Sequence, residues 1–68
     1  MARQIMKISE ENMHFICVKD DKQRFNPYRI YETWYDRGNH RKLVISYADF
    51  ASVLEYLRQT ALERGIYK

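Results

Sequence analysis

The sequence predicts a small α+β domain, a three-stranded antiparallel β-meander with one C-terminal α-helix packed on one face (βββα). Three observations carry this. Three stretches within residues 13–46 are rich in β-branched and aromatic side chains. Polar or glycine-containing reversals separate them. After residue 46 the apolar spacing changes to one helix face, Phe50, Val53, Leu54, Leu57 and Ala61. The 68 residues allow one domain, 1–68, and 46% hydrophobic with 31% charged residues is a globular composition.

The elements follow in chain order. Residues 1–12 are ambiguous: Ile5, Met6 and Ile8 suit an extra edge strand, and the same segment suits a flexible arm. Residues 13–19 read as the first strand, and the polar run from Asp20 to Arg24 as a turn. Asn26-Pro27 starts the return, because proline pushes the residue before it to extended geometry. Residues 28–36 form the second predicted strand and 41–46 the third. The reversal between them is Arg37-Gly38-Asn39-His40, where Gly38 and Asn39 both tolerate positive φ. The helix spans roughly 47–64. Ser46 with Asp49 suits a capping box, Asp49 alone suits the N-cap, and Gly65 is the stop. Tyr67 lies beyond it, near the terminus.

Strand alternation then assigns faces. On the second predicted strand Ile30 and Trp34 share one face, taken as the core. Arg29, Tyr31, Thr33 and Tyr35 share the other. On the third, Leu43 and Ile45 point at the helix while Lys42, Val44 and Ser46 point away. The first is apolar on both sides, Phe15 and Cys17 on one and Ile16 and Val18 on the other, so either side fits under the helix. One helix cannot cover both faces. The uncovered face is therefore expected to carry tyrosine and arginine.

Charge points to the same region. The net charge is +3, and the whole excess lies in residues 19–42; the segments on either side balance. A basic face with aromatic rings suits nucleic acid, with arginines on phosphates and tyrosines on bases. The expected contact residues are Arg29, Tyr31, Tyr35, Arg37, His40, Arg41 and Lys42. The same composition suits a protein interface, or a homodimer formed by two sheets face to face. The alternative for the tyrosines is packing against the N-terminal segment. On the helix, Ser52, Glu55, Tyr56, Arg58, Gln59 and Glu63 form the outer face, with Tyr56 its exposed aromatic.

The order of three strands and a helix over about residues 13–64 resembles the small DNA-binding domains at the N-termini of tyrosine-recombinase integrases. It is also similar to the plant AP2-type domain. The resemblance implies a sheet that enters the major groove, with Arg29, Tyr31, Arg41 and Lys42 at the contact positions. Separately, Asn26-Pro27-Tyr28-Arg29, Trp34-Tyr35 and His40-Arg41-Lys42 resemble segments of small proteins of bacterial mobile elements. That resemblance extends the interaction reading to an inhibitor or adaptor encoded by a phage or mobile element.

Sequence signals for catalysis are missing. There is no GxGxxG, GxxxxGK[ST] or HExxH motif. His14 and Cys17 are three apart, which on a strand puts them on opposite faces and prevents a shared metal. Cys17, the single cysteine, reads as a small buried apolar group. His40 reads as a turn residue. Glu10 and Glu11 with Asp20 and Asp21 have nothing to hold them together around a cation. A chain this short also offers little room for a deep pocket of about 300 Å³. The expectation is a cytoplasmic, non-enzymatic binding protein without metal or cofactor. No apolar run approaches the roughly 20 residues of a membrane span.

Overall fold

The computed structural model describes residues 2–65. Four strands form one antiparallel sheet in the order β1 (Ala2–Glu10), β2 (Met13–Asp20), β3 (Tyr28–Tyr35), β4 (Asn39–Tyr47). Helix α1 (Phe50–Glu63) follows. The sheet thus has four strands and not three. The N-terminal segment is an edge strand, paired with β2 from Ala2↔Asp20 to Glu10↔Met13.

The core forms where apolar residues line up across the strands under the helix. Met6, Cys17, Ile30 and Ile45 make one continuous cross-strand row. Met13 and Phe15 extend it along β2, and Val53, Leu57 and Ala61 of α1 close over it. The first predicted strand therefore turns Phe15 and Cys17 to the helix. Burial pushes the Cys17 thiol above its ordinary value, as expected for a neutral group removed from water.

Two bulges set the faces of the outer strands. Gln4 pairs with Val18 and Met6 with Cys17, so Ile5 is squeezed out of register. Likewise Ile30 pairs with Ile45 but Tyr31 with Leu43, which leaves Val44 as the extra residue. The second bulge corrects the alternation expected for β4. Leu43 shares the uncovered face with Tyr31, and Lys42 lies beside Glu32 on the helix side. Ile45 and Ser46 keep their expected sides. Bulges on both edges also twist these strands away from further pairing.

The β3–β4 reversal is Asp36-Arg37-Gly38, one position earlier than expected. Arg37 (φ 56°) and Gly38 (φ 136°) supply the positive φ, while Asn39 and His40 already belong to β4. The Asp36 N–H donates to the Gly38 carbonyl at 3.0 Å. At the other end of the sheet the Lys22 N–H donates to Asp20 Oδ1 at 3.1 Å, and the Asp20 N–H to the Pro27 carbonyl at 2.8 Å. This closes the β2–β3 loop.

The helix starts at Phe50, where its apolar spacing begins and later than the expected start near residue 47. Ser46 and Tyr47 remain in β4, and Asp49 is the N-cap, its Oδ1 accepting from the Ser52 N–H at 2.8 Å. Gly65 (φ 71°) ends the helix, its N–H donating to the Leu62 carbonyl. Tyr56 is not the exposed aromatic of the outer face. It is half-buried, edge-on to Phe15 at 6.3 Å and tilted against Tyr47 at 6.2 Å. Thr60 is also buried, and its hydroxyl donates back to the Tyr56 carbonyl. Tyr67 lies outside the described residues.

The molecule is a slab of 34 × 31 × 15 Å with a radius of gyration of 12.3 Å, against about 11 Å for a globule of this length. A helix of 14 residues is about 21 Å long and about 10 Å wide. It covers part of one side of the slab and leaves the other side open. No helix among the described residues is long and apolar enough to cross a membrane.

Candidate nucleic-acid interface

The uncovered face is built from cross-strand rows that alternate with the core rows. Lys7, Ile16, Tyr31 and Leu43 form one row; Gln4, Val18, Arg29 and Ser46 form another. Tyr31 sits at the centre of the face. The Arg41 guanidinium lies 4.6 Å from its ring centroid and that of Arg29 5.6 Å. Each such contact stabilises by about 0.5–1 kcal/mol at an exposed site. More usefully, a guanidinium held against a ring keeps its in-plane N–H groups available to an acceptor. Arg29 also lies 4.0 Å from Asp20, whereas Arg41 makes no ion pair among the described residues.

A trough opens where the sheet forks. The β2–β3 ladder stops at Phe15↔Glu32. The β1–β2 hairpin continues past that point to Glu10↔Met13, and the β3–β4 hairpin to Tyr35↔Asn39. The two hairpin ends enclose a trough of about 640 Å³, open to solvent. One wall is Gln4, Lys7, Ser9, His14 and Ile16; the other is Thr33, Trp34, Tyr35, Asn39, His40 and Arg41. Chain length left little room for a deep pocket, and the concavity is instead an open trough made by the arms and not by a second layer. Among the described residues no carboxylate lines it.

On the helix side a single residue spans the fork. Arg64 donates from Nη1 to the Asn12 carbonyl at 2.7 Å in the β1–β2 turn. Its Nη2 donates to Glu32 Oε2 on β3 at 3.2 Å. The guanidinium also lies 5.2 Å from the Phe15 ring centroid. Residue 64 was legible only as the last turn of a helix; its reach to residues 12 and 32 depends on tertiary structure.

The sequence-predicted contact residues separate into groups. Arg29, Tyr31, Tyr35 and Arg41 share the uncovered face, and Tyr35 and Arg41 also line the trough. Arg37 lies in the turn at the arm's tip. Lys42 is on the helix side, which corrects its assignment to the uncovered face. His40 is a strand residue stacked on Trp34, with ring centroids 5.6 Å apart and planes 18° apart. Its Nε2 lies 2.8 Å from the Asp36 carbonyl oxygen, and because a carbonyl only accepts, Nε2 carries the proton. Trp34 was expected in the core with Ile30. It shares that side but lies beyond the helix, 46% exposed. Sequence reasoning missed Lys7 and Ser9, because the strand carrying them was not secured; His14, weighed there only as a metal ligand, lines the same wall. Ser9 Oγ stands 3.2 Å from His14 Nδ1 on the opposite wall from His40.

Cys17 is buried under the helix and His14 is exposed on the other side, so the two are separated as the strand period requires. Among the described residues no group of three or more histidine, cysteine, aspartate or glutamate side chains comes together to hold a metal ion. No family model, no curated protein and no solved structure matches this chain.

Proposed function

We propose that this protein binds nucleic acid through the uncovered face of its sheet, and that it acts by binding and not by catalysis. One observation carries the reading. The trough on that face combines Lys7 and Arg41 with the exposed ring of Tyr35, and no carboxylate among the described residues lines it. A polyanion gains from such a surface by releasing its counterions, and affinity then falls steeply with salt. Arg29 and Arg41, held against Tyr31, add N–H donors of the kind that recognise phosphate oxygens.

Solution mass by light scattering tests this, with and without mixed single- and double-stranded DNA at low and moderate salt. The expected result is a mass increase at low salt that is lost at moderate salt. The double variant Lys7→Glu, Arg41→Glu should abolish it while leaving the circular dichroism spectrum unchanged. A mass that ignores nucleic acid at low salt overturns the proposal. A stable dimer in its place assigns the tyrosine-rich face to self-association.

A further inference from the structure

We infer that the ligand of the trough is a single strand, lying between the two hairpin arms with an unpaired base stacked on Tyr35. This inference rests on the nucleic-acid reading and narrows it. The argument begins with shape. An element that reads a duplex must protrude into a groove, as a helix or a two-stranded ribbon does. The β3–β4 arm is itself a two-stranded ribbon, but the β1–β2 hairpin stands beside it as a second wall, so the face presents a channel that receives a chain and not a lone ribbon.

The rings make the second argument. Tyr35 lines the channel with 77% of its surface exposed, and the Trp34–His40 stack, on the helix side of the same arm, reaches the channel's edge. The π-faces of bases in a duplex are covered by neighbouring pairs, whereas an unpaired base offers its own. Exposed aromatics beside a cationic track are the means by which proteins hold single strands. Lys7 on one wall and Arg41 on the other place positive charge on both sides of such a chain. Arg29, farther along the same face, extends the track.

Three cations on phosphates give a slope of about −2 for log affinity against log salt on a single strand, or about 15-fold between 50 and 200 mM. The test is fluorescence anisotropy with a labelled mixed-sequence strand of about 12 nucleotides, as DNA and as RNA, beside its duplex. The strand should bind at least about tenfold more tightly than the duplex. Tyr35→Ala should weaken strand binding about tenfold, and Tyr35→Phe should leave it unchanged. Arg41→Ala should reduce the salt slope by about 0.7. Tyr35 is exposed enough that neither substitution threatens folding, and a melting curve checks this. Duplex binding equal to or tighter than strand binding overturns the single-strand inference and leaves the nucleic-acid proposal standing. An unaltered affinity in Tyr35→Ala does the same. Binding of neither probe at 50 mM salt overturns both.

Discussion

The two faces of this sheet are made by the same strands, yet neighbouring rows have opposite characters. On the helix side Met6, Cys17, Ile30 and Ile45 run across the sheet and pack against Val53 and Leu57. One residue along, on the other side, Lys7, Ile16, Tyr31 and Leu43 run across it with no helix above them. The difference shows how a short chain divides its work. It can bury one face, and that face holds the fold. The other stays at least partly wet, and its energy comes from amphipathic contacts. Tyrosine rings with arginine stems suit this position, because they shelter apolar surface while keeping a polar end in water.

Shortening a side chain on the covered face should therefore have the largest effect. Phe15→Ala removes a ring that is 2% exposed and touches both Tyr56 and Arg64. Such a deletion costs about 3–5 kcal/mol. A domain of this length has a total stability of about 3–10 kcal/mol. Urea unfolding of Phe15→Ala should show a stability lower by about 3–5 kcal/mol, with no cooperative transition if the parent's own stability lies at the low end of its range. A variant within 1 kcal/mol of the parent would mean that the helix does not seal this face.

The uncovered face should respond more weakly and less uniformly. Tyr31→Ala loses its contacts with Arg29 and Arg41 and should cost about 1–2 kcal/mol. Tyr35→Ala, at the exposed end of the same strand, should stay within about 0.5 kcal/mol. For ligand binding the order should reverse, with Tyr35 the more sensitive of the two. Equal stability losses would mean that the face is a second core; equal binding losses would mean that the trough is not where the ligand sits.

How far this division was legible in the sequence depends on where the signal lay. β2, β3 and the body of α1 announce themselves, because β-branched and aromatic runs and a helical apolar period are local properties. So was the existence of an uncovered face with Arg29, Tyr31 and Tyr35 on it. β1 was left open, since an edge strand has few buried positions and Ile5 breaks its alternation at the bulge. The bulge at Val44 misled in the same way, because a strict period of two assigns Leu43 and Lys42 to the wrong sides. Trp34 was given to the core on alternation alone, but burial also requires something above the residue, and the helix does not reach that far. The trough depends on where one ladder stops while two others continue, which no local pattern encodes.

The fork offers a finer test of the comparison, because Arg64 joins the two arms from the covered side. Arg64→Ala removes its bonds to Asn12 and Glu32 and its contact with Phe15. The side chain is partly solvated, so the loss should be about 1 kcal/mol. Hydrogen exchange should localise the effect, with faster exchange at the β1–β2 turn and at Glu32 and no change around Tyr28 and Tyr47. Acceleration spread over the whole sheet would make Arg64 an ordinary surface contributor and not a brace.

The smallest effect concerns the helix that makes the faces differ. Asp49 is held below its ordinary value of 3.8 by the bond it accepts from the Ser52 backbone N–H. Glu55 is held below 4.5 by its bonds from Arg58 and Gln59. A carboxyl whose value is lowered by folding binds fewer protons in the folded state than in the unfolded state. Its contribution is therefore complete above the unfolded value and disappears as pH falls through the folded one. The melting temperature should hold steady with respect to these groups from neutral pH down to about 5, then fall further into acid. Asp49→Asn separates capping from charge, since an amide oxygen caps nearly as well and does not titrate. That variant should melt close to the parent at neutral pH and lose less on acidification, whereas Asp49→Ala should melt lower at both. An acid response identical in Asp49→Asn and the parent would assign the whole pH dependence to Glu55 and other carboxylates. Only an Asp49→Ala variant that melts like the parent would mean that the N-terminal end of the helix is held over Tyr28 by the ring of Phe50 and not by its cap.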